Sequence, residues 1–265
     1  MIKLVVLDVD GTLIEKGTKN ICQSTIDSLN CLHTKGMKLA IASGRPPYLM
    51  ENSFLKDIPF DYFICNNGTI TIDNNQREVF KTSLSVEEVN ELISDFKDDD
   101  NAIMFQFKDN SYCFNGKKRL SNMLRTFIGN DQTMIDEREN PMQHYKELPC
   151  SAVCYIKESD IARYRRKYKK YSIVAFDKDY YDIMDKKVNK GNGVKQLSDK
   201  LGIKMNEVMA FGDDLNDVEM INCVGIGICM GDGKTEVKAV ADYITKTSKE
   251  EGIYLGLKHF GLLED

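Results

Sequence analysis

Two carboxylates one residue apart, Asp8 and Asp10, close the apolar run Leu4-Val5-Val6-Leu7, and Gly11 follows at once. An unbroken apolar run of that length reads as a short strand buried on both faces, as in a parallel sheet. In an extended chain residues i and i+2 share a side, so Asp8 and Asp10 can face one point just beyond the strand. Gly11 lets the backbone turn sharply there and lets a ligand come close. Two like charges held together call for a shared proton or a cation, and Mg²⁺, which takes oxygen ligands, is the simplest cation. Asp-Gly alone is ordinary turn chemistry. Its place after an apolar strand argues for more, because open α/β sheets bind ligands outside the carboxyl ends of their strands.

Three further groups stand in comparable places. Ser43-Gly44-Arg45-Pro46 follows the apolar stretch 38–42, Lys190-Gly191 opens a helix carrying Val194, Leu197 and Leu201, and Gly212-Asp213-Asp214-Leu215-Asn216-Asp217 follows the stretch 207–211. Taken singly, Ser43-Gly44 is a strand-to-helix turn and Lys190 a solvated lysine. The acidic group is different: three acids and an Asn within five residues carry a repulsion that a turn does not need. If the strands are parallel, their ends lie along one edge. The chemistry such residues suit is phosphoryl transfer. Mg²⁺ held by Asp8, Asp213 and a backbone carbonyl would offset the charge of a phosphomonoester dianion. Ser43 and the amides near Gly11 and Gly44 would hold phosphate oxygens, and Lys190 would meet the developing negative charge. Asp8 would attack in line to give an aspartyl-phosphate. Asp10 would protonate the leaving oxygen and then take a proton from the hydrolytic water.

The elements that must position these groups alternate. A helix over 24–35 with Ile26, Leu29 and Leu32 on one face stops at Gly36, and strands are expected at 38–42, 61–65, 70–72 and 78–80. Near Ser83 the pattern changes. Helices at 85 onward, 118–128 and 159–170, a hairpin at 102–107 and 112–114, and strands at 151–157, 172–176 and 180–184 form a mixed antiparallel module. Buried strands return at 207–211, 224–228 and 242–244, and a helix over 249–259 ends the pattern. The expected architecture is α/β: a Rossmann-like doubly wound parallel sheet formed by 1–82 and 186–265, with an inserted α/β (α+β) cap domain over 83–185.

Composition narrows the function. The chain has 265 residues, 42% apolar and 29% charged, enough for a packed core and unlike a disordered chain. A net charge of −5 argues against a general nucleic-acid binder. The apolar run at 4–7 is too short for a signal peptide, and no stretch reaches the roughly 18 apolar residues of a membrane helix. Eight cysteines, with no Cys-x-x-Cys pair, read as small buried hydrophobes in a reducing cytoplasm. Cys150 and Cys154 have the one spacing worth weighing for a metal, and three histidines in the whole chain make zinc a poor match.

Asp8-Val9-Asp10-Gly11-Thr12-Leu13, Ser43-Gly44-Arg45, Lys190-Gly191 and Gly212-Asp213-Asp214-Leu215-Asn216-Asp217 resemble, in order and spacing, the four signature motifs of the haloacid dehalogenase superfamily of phosphatases. Asn67-Gly68 resembles a further family element, and the insertion resembles the cap of the Cof-type sugar-phosphatase branch. The resemblance implies that Asp8 is the nucleophile and Asp10 the general acid/base. It implies that Asp8, the Asp10 carbonyl and Asp213 bind Mg²⁺ with Asp217 in support, and that Ser43, Asn216 and Lys190 hold the phosphate. Asp214 sits where the family varies. Met230-Gly231-Asp232-Gly233 departs from the family, whose members often carry Asn and Ala at the last two positions. The cap is expected to act as a lid that excludes water and chooses the leaving group. Its basic run, Arg163 to Lys170, reads as a solvated helix face before a second phosphate site. Tyr112, Tyr180 and Tyr181 suit either a pocket or the core. The expected activity is Mg²⁺-dependent hydrolysis of small phosphorylated metabolites, with a phosphomutase of phosphomannomutase type as the alternative and a receiver-like phosphoacceptor module behind it. No membrane or nucleic-acid partner is expected, and the sequence leaves oligomeric state open.

Overall fold

The computed structural model describes residues 1–18, 20–50, 55–98, 100–137 and 142–264. The chain divides into two compact units, Met1–Phe80 with Asn189–Asp265, and Lys81–Val188.

The first unit is built on β1 (Leu4–Leu7), β2 (Lys38–Ala42), β3 (Tyr62–Cys65), β4 (Ile70–Asp73) and β5 (Glu78–Lys81). Numbering on past the insertion, it also holds β12 (Val208–Gly212), β13 (Ile226–Cys229) and β14 (Tyr243–Ile244). The sheet order is β14-β13-β12-β1-β2-β3-β4-β5. From β14 to β3 every pairing is parallel, and β4 returns antiparallel along β3. All four residues of β1 are fully buried, as expected for a strand covered on both faces. Leu4 and Val6 pack with Val194 and Leu197 of the Lys190–Leu201 helix and with Met220 and Ile221 of the Val218–Cys223 helix. The Gln23–Thr34 helix buries Leu29 and Leu32, and the Gly252–His259 helix brings Gly256 against the Phe211 ring. The doubly wound α/β core is therefore as the sequence indicates. The chain order reverses about β1, which has β2 on one side and β12 on the other, and such a reversal opens a crevice at the strand ends.

The inserted unit is a six-stranded sheet of β6 (Ala102–Gln106), β7 (Ser111–Asn115), β8 (Met134–Asp136), β9 (Ser151–Tyr155), β10 (Tyr171–Asp177) and β11 (Tyr180–Asp185). Its order is β10-β11-β9-β6-β7-β8. The Val86–Asp95 helix starts at Ser85, whose side chain and Glu88 form a reciprocal capping box. This helix and the Ile161–Lys167 helix cover one face through Val89, Leu92, Phe96 and Tyr164. The Lys117–Ile128 helix covers part of the other through Leu120, Met123 and Leu124.

The bounds of two helices are corrected. The 159–170 helix is confined to Ile161–Lys167, because Tyr168 caps it and turns inward to donate its hydroxyl to Asp95. The basic run is exposed along its length, as a solvated face would be, and makes surface ion pairs: Lys167 with Asp95, and Lys170 at 3.1 Å from Glu88. The final helix is broken at Glu251, whose φ of 62° separates the turn Ser248–Glu250 from Gly252–His259. Tyr112 and Tyr181 are core residues. All eight cysteines are free, five are buried, and Cys31 and Cys223 are exposed rather than buried. No helix among the described residues is long and apolar enough to cross a membrane.

Asp182, partly buried on β11 opposite Val153 and Val174, has its carboxyl pushed up by loss of solvent to about 7 from an ordinary 3.8. Between those values the folded chain holds a proton that the unfolded chain has released, so this residue's contribution falls as pH rises from about 4 through 7. In urea melts across that range, the stability of Asp182→Asn relative to wild type is expected to rise with pH and then level off. A constant difference would show that Asp182 keeps an ordinary carboxyl.

Candidate active site

The site lies where β1, β2 and β12 end side by side. Leu7 pairs with Ile41 on one flank and Phe211 on the other, so Asp8 emerges between Ser43 and Asp213. The backbone N–H of Asp8 donates to the Phe211 carbonyl at 3.0 Å. Gly11 turns the chain with a φ of 104°, and a Cβ there would fall 2.5 Å from Asp213 Oδ2. The glycine answers both a strained backbone and a close approach.

Lys190 is the first residue of its helix. Asn189 caps that helix by accepting the Asn192 N–H at 2.8 Å. Gly191 and Gly193 let the helix start press on the Glu219 backbone and on Ile64. So placed, Lys190 is 1% exposed, and its ammonium donates to Asp8 Oδ1 at 2.5 Å and to Asp217 Oδ1 at 2.6 Å. The other oxygen of Asp217 accepts the N–H groups of Asp213 and Asp214 at 2.9 and 3.0 Å. Asp217 thus fixes both the lysine and the loop that carries Asp213. Thr12 donates its hydroxyl to Asp213 Oδ1 at 2.8 Å, and Lys234 N–H donates to the Asp213 carbonyl at 2.8 Å. That last bond gives the 230–234 loop a place: it holds the backbone of Asp213, and Gly233 sits where a Cβ would meet Cys229 Sγ.

Asp8, Asp213 and Asp217 offer one oxygen each within 4.8 Å of one another, all buried. Burial and the neighbouring Asp217 push the Asp8 carboxyl well above the usual carboxylate range, against the pull of Lys190. Burial likewise raises Asp213, opposed by Lys16 and Thr12. Burial alone would discharge Lys190, but Asp217 and Asp8 outweigh it and hold the ammonium above the ordinary lysine value. Three buried carboxylates facing one buried ammonium are short of positive charge. An all-oxygen, acid-rich donor set of this kind suits a hard divalent cation.

Asp10 is not in that cluster. Its half-exposed carboxylate is gripped by the Arg45 guanidinium, Nε to Oδ2 at 2.9 Å and Nη2 to Oδ1 at 2.6 Å. The Arg45 N–H also donates to Ser43 Oγ at 3.1 Å. Ser43 and Gly44 join a polar chain: the Ser43 carbonyl accepts the Asn67 N–H at 2.9 Å, the Asn67 carboxamide lies against Gly44, and Asn67 Oδ1 accepts from Asn216 Nδ2 at 2.9 Å. Asp214 lies at the edge with its carboxylate on the Leu215 N–H. Sequence reasoning passed over Thr12, Lys16, the Arg45 clamp and the Asn67–Asn216 bond. Thr12 and Arg45 adjoin singled-out residues, which is a usable signal; Lys16 has none.

A family model described as haloacid dehalogenase-like hydrolase matches residues 5–257. The Bacillus subtilis 5-amino-6-(5-phospho-D-ribitylamino)uracil phosphatase YitU is 27% identical over 277 residues, 97% of each chain. Among solved structures, BT1666 of Bacteroides thetaiotaomicron, a phosphatase of the haloalkanoate enzyme superfamily, matches 99% of this chain and 96% of its own at TM-score 0.87 and 26% identity. The subclass IIB sugar phosphatase BT4131 matches 98% of this chain and all of its own at TM-score 0.85 and 28% identity.

Proposed function

The chain belongs to the haloacid dehalogenase-like hydrolases, in the Cof-type branch, and is a phosphatase; from that premise we propose that it hydrolyses small phosphorylated metabolites, sugar phosphates foremost, through an aspartyl-phosphate on Asp8. The observation that carries this reading is the Asp8 carboxylate, buried at a strand end, with one oxygen on Lys190 and two further acids beside it.

Asp8 attacks phosphorus along the line of the ester bond, an Asp8 oxygen–phosphorus bond forming as the ester oxygen departs. Lys190 orients the nucleophile and offsets charge on the transferring group. Asp10, once its carboxyl has left the Arg45 guanidinium and taken a proton from solvent, gives that proton to the leaving oxygen, then takes one from the water that attacks phosphorus and frees Asp8. Ser43, the amides near Gly11 and Gly44, and Asn216 hold the phosphate oxygens. Mg²⁺, held by Asp8, Asp213 and the Asp10 carbonyl with Asp217 in support, would supply the positive charge that lets a carboxylate approach a dianion. YitU and BT4131 are named for a phosphorylated ribityl compound and for sugar phosphates, which supports a polyhydroxylated phosphate ester as substrate. The inserted unit is assigned the choice of leaving group, and the free thiols suit a cytoplasmic setting.

The test is phosphate release from a panel of phosphorylated metabolites, with Mg²⁺ and with chelator. Release that requires Mg²⁺ and favours sugar or polyol phosphates is expected. Interconversion of hexose 1- and 6-phosphates without release, or no turnover of any compound, would overturn the reading.

Because Arg45 fixes both oxygens of Asp10, Arg45→Ala is expected to lower kcat about a hundredfold, the scale of a general acid/base contribution. Arg45→Lys cannot reproduce the two-pronged contact and is expected to recover little. Steady-state kinetics on the best substrate check this; an unchanged kcat in Arg45→Ala would remove Arg45 from the account.

A further inference from the structure

Lys16 has no part in the reaction above, yet its ammonium lies 2.7 Å from Asp213 Oδ2 and 3.8 Å from Asp214 Oδ2. The Asp213 side chain is 1% exposed and that of Lys16 is 52% exposed, so the contact is made from the solvent side. Asp213 Oδ1 is taken by the Thr12 hydroxyl, which leaves Oδ2 as the oxygen open to a cation. The turn is shaped for this approach. Ile14 bonds back to Val9, Gly11 donates to the Ile14 carbonyl, and a Cβ on Gly11 would lie 2.6 Å from Lys16 Cε. The lysine stem therefore passes over the bare face of Gly11.

We infer that Lys16 is a built-in counter-ion that competes with the divalent cation for Asp213 Oδ2. The inference rests on the proposal that Asp213 binds such a cation. A bound Mg²⁺ would stand about 2 Å from that oxygen, and an ammonium at hydrogen-bonding distance from the same atom would be strongly repelled. Lys16 has to withdraw, and its exposed, flexible stem allows that. Without the dication, Lys16 offsets a buried carboxylate whose neighbours are also acids. With it, one cation replaces another, and the affinity of the site is lowered by the contact given up. Lys16 is then a positioning residue for the acidic loop and sets how much Mg²⁺ the enzyme needs.

The experiment compares wild type, Lys16→Met and Lys16→Arg after chelator treatment and removal of the chelator. Mg²⁺ binding is followed by titration calorimetry and unfolding by thermal melts. Lys16→Met is expected to bind Mg²⁺ about tenfold more tightly, the equivalent of one charged hydrogen bond. Without Mg²⁺ it is expected to melt about 2–4 °C lower, and saturating Mg²⁺ should erase that deficit. Lys16→Arg, which keeps a cation, should stay close to wild type in both. A purely structural lysine would lower the melt with and without Mg²⁺ and would leave affinity alone. Equal or weaker Mg²⁺ binding in Lys16→Met, with wild type binding normally, would overturn the role of Lys16 and spare the cation site. No Mg²⁺ uptake by any of the three proteins would overturn both.

Discussion

Replacing Asp8 by Asn is expected to lower kcat by about 10⁴-fold or more while the protein still folds, since loss of a nucleophile removes the covalent path rather than weakening it. The fold should survive for local reasons. The Asp8 backbone stays bonded to Phe211 whatever the side chain. Asparagine has the same shape, and removing the charge ends the repulsion from Asp217 and Asp213 that helps raise the Asp8 carboxyl. Lys190 keeps its bond to Asp217 at 2.6 Å, so its charge is not stranded. The net change in stability should be about 1 kcal/mol, the scale of one hydrogen bond exchanged for a weaker one. Phosphate release and urea melts on the same preparation check both halves. Near-normal turnover in Asp8→Asn would contradict the assignment of the nucleophile.

Lys190→Met is expected to behave differently, because it damages both function and fold. The lysine is the cation shared by two buried carboxylates, and methionine fills its volume while leaving those charges facing each other. Breaking a buried pair by deleting one partner costs about 3–5 kcal/mol, because a charge is left buried without compensation. Turnover should fall about a thousandfold as well, the cost of removing a preorganised charge from a developing anion. Asp8→Asn and Lys190→Met thus separate by stability: the first is inactive and stable, the second inactive and destabilised. Equal stability of Lys190→Met and wild type would show that the ammonium is not the cation holding Asp8 and Asp217 together.

Much of the core can be read in the sequence, for a simple reason. β1, β2 and β12 are short apolar runs that end in polar residues, and a strand buried on both faces leaves no other place for those residues than its end. Asp8, Asp213 and Asp217 are brought within one cluster by that rule, and Lys190 joins them from the first turn of its helix. What could not be read depends on register between distant segments. The Arg45 clamp joins residues 35 positions apart and exists because β1 and β2 run parallel with their ends level. The Lys16 contact depends on the path of one turn over Gly11. In the inserted unit, the basic run meets Asp95 and Glu88 because two helices lie on one sheet face, which helical periodicity cannot reveal. The Val218–Cys223 helix is only six residues long and starts directly after the acidic motif, so it shows no periodic pattern of its own.

The central claim is a covalent intermediate on Asp8, and partitioning of that intermediate tests it most directly. The enzyme is supplied with several phosphate esters of different leaving groups in water containing methanol, and the ratio of methyl phosphate to inorganic phosphate is measured. If each substrate first transfers its phosphoryl group to Asp8, all pass through the same species after the leaving group has gone, and the ratio is expected to be the same for every ester. A ratio that changes with the leaving group would mean that water attacks the substrate directly, with Asp8 in some other role.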